Sequence, residues 1–360
     1  MRGQPRQPAV RRPHVPFTVA IGDLDLFEGL SERRSKARSE NPGEVPDGVR
    51  LLRWELAGPL DWPHEVTVVV PPYLGGARLE LLGDLADLRL VQMLTAGYDD
   101  IAALLPSGVG LANAVGVHDA STSELAIGLT IAALRGLPDF VRAQDQGQWR
   151  WEQRRSLADR RVLVVGFGGV GQAVARRALA FETTVTAVAS RARPPGVAGP
   201  AVAVHGVEEL PALLPQHDVV IVTVPLTDAT RGLVDGAFLA AMPDGALLVN
   251  VARGPVVDTA ALMAELAAGR LLAALDVTDP EPLPAEHELW HLPGVLISPH
   301  VGGSTSARLP RAIDLVHDQL RRIWTGEPLR GIVVPTQWSE PPNPRPASSQ
   351  PPVAGEGSLP

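Results

Sequence analysis

The chain has 360 residues, no cysteine and a formal net charge of −8. The lack of cysteine excludes disulfides, thiolate nucleophiles and cysteine-based metal sites, and the single lysine, Lys36, lies in no P-loop or Schiff-base motif. An acidic chain of this length is expected to form about two domains and to have neither nucleic acid nor an anionic membrane as its main partner.

Short apolar runs alternate with helical stretches along the chain. Five predicted strands begin at Phe17, Val49, Val66, Leu88 and Val109, and a long helix is predicted from about Ser121 to Arg135. Seven further strands begin at Val162, Thr184, Ala201, Val219, Ala246, Leu271 and Val295. The runs are apolar throughout, as in parallel strands that helices cover on both faces. This order predicts an α/β protein with two doubly wound parallel-sheet domains.

The two ends of the chain differ from its body in composition. Residues 1–15 are basic and contain several prolines, and residues 335–360 are rich in proline with almost nothing to bury. We expect both to be disordered tails. The apolar stretch after the basic N-terminus is too short for a secretory signal, and no apolar run is long enough to span a bilayer. The sequence therefore predicts a cytoplasmic protein.

The strand that begins at Val162 runs into a loop with the spacing G-x-G-x-x-G. Gly166 permits a tight turn, Gly168 lets a pyrophosphate approach the backbone, and Gly171 allows close packing of helix on strand. The helix N-terminus then presents free N–H groups to the phosphates. An ordinary glycine-rich turn has the same spacing, but the strand–loop–helix context favours dinucleotide binding. The predicted cofactor-binding residues of this loop are Gly166, Phe167, Gly168, Gly169, Val170 and Gly171.

The next strand indicates which dinucleotide binds. An NAD site usually has an acidic residue at its end to bond the ribose 2′-OH. Here the strand ends in Ser190, Arg191, Ala192 and Arg193. A hydroxyl and two guanidinium groups suit a 2′-phosphate, although the two arginines are also compatible with a solvated loop. We expect NADPH to be preferred and NAD to remain possible.

Polar side chains follow three later strands of this series. Arg253 comes just after the strand at Ala246, Asp276 and Glu281 follow the next one, and His300 ends the last. Each alone is compatible with a structural role. Together, at the carboxyl edge of a dinucleotide-binding sheet, they suit hydride transfer to a carbonyl. That reaction needs a cation for an anionic 2-oxo acid, a proton donor for the alkoxide and a carboxylate that orients the donor.

A second pattern, H-E-x-x-H at His287–His291, matches a zinc-peptidase motif. Zinc binding requires both histidines one turn apart on a stable helix. Pro284 precedes this segment and Pro293 follows it, which leaves room for two turns at most. We therefore expect no metal site.

Residues from about 90 to 325 resemble the D-isomer-specific 2-hydroxyacid dehydrogenase family. The segments that carry the resemblance are LTAGYDDI, STSELAIGLTIAALR, VLVVGFGGVGQAVARRAL, VPLTDATRGLVD, MPDGALLVNVARGPVVDTAAL, ALDVTDPEPLP and LISPHVGGST. The Ser-Arg-x-Arg loop is similar to that of the NADPH-using glyoxylate/hydroxypyruvate reductase branch. The resemblance implies a Rossmann cofactor domain, residues 116–301, inserted into a flavodoxin-like substrate domain, residues 16–115 plus 302–334. It also implies a homodimer that pairs through its cofactor domains.

The resemblance further implies roles for individual residues. His300 is the proton donor, Glu281 its partner, and Arg253 the cation that orients the substrate. The backbone N–H groups of Ala96 and Gly97 bind the substrate carboxylate. The residues that line the nicotinamide and its ribose are Thr122, Val224, Pro225, Val251, Ala252, Asp276 and Gly302.

The implied activity is hydride transfer between NAD(P)H and a small 2-oxo acid, with the D-2-hydroxy acid as product. A substrate resembling glyoxylate or hydroxypyruvate is favoured. The alternative is a non-enzymatic, dinucleotide-sensing protein that acts as a corepressor and docks partners through its proline-rich tail.

Overall fold

The computed structural model describes residues 16–36, 45–61, 63–73, 75–98, 101–196, 200, 202–336 and 338. The strands of this part are β1 (Phe17–Ile21), β2 (Val49–Arg53), β3 (Val66–Val70), β4 (Leu90–Gln92), β5 (Gly110–Ala112), β6 (Arg161–Val165), β7 (Thr184–Ala189), β8 (Ala203–Gly206), β9 (Val219–Val222), β10 (Leu247–Asn250), β11 (Leu272–Leu275), β12 (Val295–Ile297) and β13 (Ile332–Val334). The α-helices are α1 (Leu24–Lys36), α2 (Asp119–Arg135), α3 (Leu137–Asp145), α4 (Gly169–Leu179), α5 (Leu210–Leu213), α6 (Gly236–Ala241), α7 (Thr259–Ala267) and α8 (Arg308–Thr325).

The first sheet has the order β13-β5-β4-β3-β1-β2, and all its pairs are parallel except that of β13 with β5. Helices α1 and α8 cover one face, where Leu26 and Leu30 pack with Leu315 and Leu320. A second apolar cluster, which includes Leu82 and Leu111, covers the other face. The order 2-1-3-4-5 of its parallel strands is that of flavodoxin-like folds.

The second sheet has the order β12-β11-β10-β9-β6-β7-β8, and every pair is parallel. Two buried apolar clusters lie on its opposite faces, so strands β6, β9 and β10 are almost entirely buried. The strand order reverses between β6 and β9, and ligands of such sheets bind beyond the carboxyl ends of the strands at this point.

The predicted fold class is confirmed, and all twelve predicted strands are present. The thirteenth, β13, was missed because it is short and pairs antiparallel with β5 at the edge of the sheet. The proposed boundaries, 16–115 plus 302–334 and 116–301, remain a prediction, and each sheet lies within its proposed segment. No helix among the described residues combines the length and apolar character that a membrane span needs.

Most of the two predicted tails, 1–15 and 335–360, lies outside the described residues. Two residues of the second segment pack on the first sheet instead of extending away from it. Thr336 is 4% exposed and donates to the carbonyl of Arg89, and the ring of Trp338 lies 6.2 Å from that of Phe17. The ordered chain therefore continues past residue 334, because an indole ring gains from burial even in a proline-rich context.

Candidate active site

The carboxyl ends of strands from both sheets face a shared cavity of about 510 Å³. Residues that follow strands of both sheets line this cavity. Nine of them are site residues predicted from the sequence: Ala96, Gly97, Thr122, Val251, Arg253, Asp276, Glu281, His300 and Gly302. The sequence therefore predicted which side chains converge here, although they are up to about two hundred positions apart in the chain.

The glycine loop has the geometry that a diphosphate requires. Gly166 has φ +101°, and a Cβ there would lie 2.8 Å from the backbone nitrogen of Val224. A Cβ on Gly171 would lie 2.0 Å from the carbonyl oxygen of Gly166. A Cβ on Gly168 would meet nothing within 4 Å, so this side of the loop is open to a ligand. The loop fits a dinucleotide, with α4 presenting its N-terminus.

Other predicted residues of this loop have different surroundings. Phe167 is buried in the core below the loop, and its carbonyl accepts from the Arg193 guanidinium at 3.3 Å. The Arg193 guanidinium carbon also lies 5.7 Å from the centre of the Phe167 ring. Ser190 and Arg191 are exposed at the end of β7. Arg193 is thus fixed against the loop, whereas Arg191 extends into solvent beside it.

His300 and Glu281 form a hydrogen-bonded pair at the cavity. The His300 Nδ1 to Glu281 Oε1 distance is 2.5 Å. Since an ionised carboxylate only accepts, Nδ1 carries the hydrogen and donates it. Nε2 is then the ring nitrogen that remains for proton exchange with a ligand. The side chains of His300 and Glu281 are 44% and 40% exposed, so the pair is accessible.

The backbone of His300 is held in the left-handed region, at φ +52°, which is uncommon for residues other than glycine. Asp276 supports this turn. Its carbonyl accepts from the His300 amide at 2.7 Å, and its carboxylate accepts from the Ser298 hydroxyl at 2.6 Å and the amides of Val301 and Gly302, each at 2.9 Å. Asp276 is 3% exposed, so a buried carboxylate fixes the direction of the imidazole.

Arg253 reaches from the end of β10 to the first sheet. Its guanidinium packs directly against Gly97. A Cβ added at this glycine would lie 1.5 Å from Arg253 Nη2, so only glycine leaves the guanidinium in place. Nη1 donates to the carbonyl of Ala252 at 2.7 Å. The buried Asn250 stabilises the turn below, since its side chain bonds both the Ala252 amide and the Arg253 carbonyl. The cation is therefore held at the junction of the two sheets.

The backbone of Ala96 and Gly97 lies next to this guanidinium. The Thr95 hydroxyl donates to the Gly97 carbonyl at 2.8 Å, and the Asn113 amide donates to the Ala96 carbonyl at 2.9 Å. Within the described residues, no group accepts from the N–H of either Ala96 or Gly97. Two backbone donors and a guanidinium thus share one side of the cavity, an arrangement suited to a carboxylate.

The remaining predicted cofactor residues lie between this centre and the glycine loop. Thr122, Val251 and Ala252 are at most 8% exposed. Val224 and Pro225 follow β9, and the Pro225 carbonyl accepts from Thr230 at 2.6 Å. In the H-E-x-x-H segment, His287 caps a three-residue 3-10 turn by accepting from the Leu289 amide, so its two histidines are not on a stable helix.

Sequence reasoning missed several residues that line or support the cavity. His118 and Tyr73 stack with ring centres 5.7 Å apart, and His118 Nε2 bonds the Leu94 carbonyl at 2.8 Å. Burial lowers the pKa of His118 and raises the pKa of Tyr73. The side-chain amides of Asn113 and Asn250 bond backbone groups at the cavity. Asn250 lies in the segment MPDGALLVNVARGPVVDTAAL, which carries the family resemblance, and Asn113 lies in the predicted strand that begins at Val109. No motif marks Tyr73 or His118, and the one available signal was their position a few residues after predicted strands.

A doubly wound parallel sheet with a glycine loop, joined across a cavity to a second, largely parallel sheet, is the arrangement of two-domain dehydrogenases. Residues 127–302 match the family model for the NAD-binding domain of D-isomer specific 2-hydroxyacid dehydrogenases. The chain is 32% identical to glyoxylate/hydroxypyruvate reductase A of Arabidopsis thaliana, over 75% of this chain and 86% of the relative. It is also 32% identical to human glyoxylate reductase/hydroxypyruvate reductase, over 68% of this chain and 76% of the relative.

The comparison with solved structures points to the same family. The D-isomer specific 2-hydroxyacid dehydrogenase of Xanthobacter autotrophicus Py2, in complex with NADPH and MES, aligns with a TM-score of 0.72 at 31% identity. The alignment covers 89% of this chain and 98% of that protein. The chain belongs to the D-isomer-specific 2-hydroxyacid dehydrogenase family. It is an NAD(P)-dependent oxidoreductase, and nothing in the comparisons supports the corepressor alternative.

Proposed function

We propose that this chain reduces small 2-oxo acids of the glyoxylate and hydroxypyruvate type to 2-hydroxy acids, in the D configuration where C2 is chiral, with NADPH as the preferred donor. The observation that carries the proposal is the 2.5 Å His300–Glu281 pair in the same cavity as Arg253. The relatives named for glyoxylate and hydroxypyruvate support this substrate class.

In this proposal each side chain has one task. The bound nicotinamide supplies the hydride. The Arg253 guanidinium and the N–H groups of Ala96 and Gly97 bind the substrate carboxylate and so orient the carbonyl. His300 Nε2 donates a proton to the carbonyl oxygen as negative charge develops there, and Glu281 stabilises the imidazolium through Nδ1.

The test is the oxidation of NADPH and NADH by the purified chain with glyoxylate, hydroxypyruvate, pyruvate and phenylpyruvate. We expect turnover with glyoxylate and hydroxypyruvate at a higher kcat/KM than with phenylpyruvate. Oxidation of neither nucleotide with any of the four acids would overturn the proposed reaction. A preference for phenylpyruvate would leave the reaction intact and overturn the substrate class.

The preference for NADPH rests on the end of β7, where Ser190, Arg191 and Arg193 are present in place of an acidic residue. Replacing Arg191 with aspartate places a negative charge beside the expected 2′-phosphate. We expect the Kd of NADPH to rise by roughly 10- to 100-fold and that of NADH to change by less than about threefold, since charge-assisted hydrogen bonds contribute about 1.5–3 kcal/mol. Titration of nicotinamide fluorescence measures both values.

A matched control is Arg311→Asp, which makes the same charge change at an exposed position on α8. It should leave both dissociation constants unchanged. If Arg191→Asp weakens the two nucleotides equally, or neither, then this loop does not select the 2′-phosphate.

We further propose a homodimer that pairs through the cofactor domains. The support is an exposed apolar surface on α3 and the segment that follows it. Trp149 and Trp151 are 97% and 83% exposed, and Val141 is 56% exposed. Isolated indole rings in water are costly, and tryptophan is enriched where interfaces bury it.

The cytoplasmic location inferred from the sequence also stays a prediction.

The double variant Trp149→Ala, Trp151→Ala is expected to shift the dimer toward monomer at micromolar concentration, because about 150–250 Å² of buried surface is lost per ring. Light scattering after size exclusion measures the mass. Phe181→Ala, which removes an aromatic ring that is 42% exposed after α4, serves as the control and should remain dimeric. A dimer that persists in the double variant would place the interface elsewhere, and a monomeric wild-type chain would refute dimerisation.

A further inference from the structure

The first residue of α2, Asp119, lies against the dinucleotide loop. A Cβ on Gly169, the first residue of α4, would lie 2.1 Å from Asp119 Oδ2 and 2.8 Å from Oδ1. Only glycine at position 169 therefore leaves room for the carboxylate. The neighbouring Gly168 faces open space. A negative group of the protein is thus positioned at the same helix N-terminus that the loop presents to the diphosphate.

The described part of the chain places no neutralising group directly on this carboxylate. Within the described part of the chain, no donor or cation forms a hydrogen bond or ion pair with the Asp119 side chain. Asp119 is half-buried, and burial raises its pKa, whereas charge on His118 and Arg176 lowers it. Burial also lowers the pKa of His118, so that imidazole contributes little positive charge near neutral pH. Arg176, on α4, is the remaining cation that acts on the group.

We propose that Asp119 sets the affinity for the dinucleotide by competing, as a carboxylate, with the diphosphate for the N-terminus of α4. The N-terminal N–H groups and the helix dipole favour a negative group there. When Asp119 is ionised, two anions share one low-dielectric site and repel each other. Nucleotide binding then requires that the carboxylate take up a proton or move away. The inference rests on the proposed function only through the dinucleotide site.

The direction of the pH dependence follows from this competition. The phosphates favour the protonated form of Asp119, so its pKa is higher in the complex than in the free protein. Nucleotide binding therefore takes up a proton at pH values between the two pKa values. Over that range Kd rises with pH, and below it Kd is constant. A variant that carries no charge at position 119 should lack the part of the pH dependence of Kd that comes from Asp119.

The experiment measures nucleotide binding without turnover. Kd for NADPH and for NADH is determined by nicotinamide fluorescence from pH 5 to 8 in the wild-type chain, Asp119→Asn and Asp119→Ser. NADH is included because it lacks the 2′-phosphate, whose own pKa near 6 would add a slope. Asp87→Asn is the matched control, since Asp87 is an exposed carboxylate in the loop before β4. This loop lies at the amino ends of the strands of the first sheet, whereas the cavity lies at their carboxyl ends.

Both Asp119 variants are expected to bind NADPH and NADH about tenfold more tightly at the upper end of this range, which corresponds to about 1.4 kcal/mol. Their NADH profiles should be flatter than that of the wild-type chain, while Asp87→Asn should follow the wild type. Thermal melting of each variant shows whether it folds as the wild-type chain does.

Equal or weaker binding by the two variants, or an unchanged NADH profile, would overturn the inference. These outcomes are distinct from a failure of the proposed function. If the wild-type chain binds neither nucleotide, the proposed function fails with it. If it binds both and the variants behave like the wild type, only the role of Asp119 fails.

Discussion

Replacing His300 with alanine is expected to lower kcat for the 2-oxo acid by about 10²–10⁴-fold, the usual contribution of a general acid. The Kd of NADPH should stay within about twofold, because the predicted phosphate contacts come from the glycine loop and β7. In the proposed mechanism the proton donor is the imidazole, which the left-handed turn and Asp276 direct into the cavity. Steady-state kinetics and fluorescence titration on one preparation separate the two effects.

The control for this variant is His291→Ala, which removes an exposed histidine of the H-E-x-x-H segment and should retain wild-type kcat. Glu281 acts through His300, so the double variant His300→Ala, Glu281→Gln should be no slower than His300→Ala alone. A His300→Ala enzyme that keeps more than about a tenth of wild-type kcat would contradict the assignment of the proton donor.

The fold could be predicted because most of the strands are uninterrupted apolar runs, the pattern of a sheet buried on both faces. The same argument located the cavity, since the carboxyl ends of parallel strands meet at one edge. It failed for β13, whose three residues pair antiparallel at an edge that no periodicity marks. It also did not foresee that Trp338 packs on Phe17.

The site was predictable only at the level of residue type. The resemblance implies that Asp276 lines the nicotinamide and its ribose, which stays a prediction. The contacts show a further task, because its buried carboxylate accepts from Ser298 and two backbone amides. These hydrogen bonds depend on where the backbone N–H groups point, and the folded chain alone determines that direction. The stacking of Tyr73 on His118 likewise joins distant segments that carry no shared pattern.

Replacing Arg253 with alanine is expected to raise KM for the 2-oxo acid by roughly 10- to 100-fold and to lower kcat as well. In the proposed mechanism the cation stabilises both the bound substrate and the transition state, since a charge-assisted hydrogen bond to the carboxylate contributes about 1.5–3 kcal/mol. Arg253→Lys should recover little of the loss, because an ammonium group cannot reproduce the planar two-point contact. Full recovery by lysine would show that only the charge matters.

A second variant, Gly97→Ala, should raise KM in the same way although Arg253 itself is not replaced. A Cβ at Gly97 would lie 1.5 Å from Arg253 Nη2, so Gly97→Ala must displace the guanidinium without removing its charge. We expect KM to rise as in Arg253→Ala. Gly83→Ala is the control, because a Cβ there meets nothing within 4 Å. If Gly97→Ala keeps the wild-type KM, the cation tolerates displacement, and its charge rather than its placement binds the substrate.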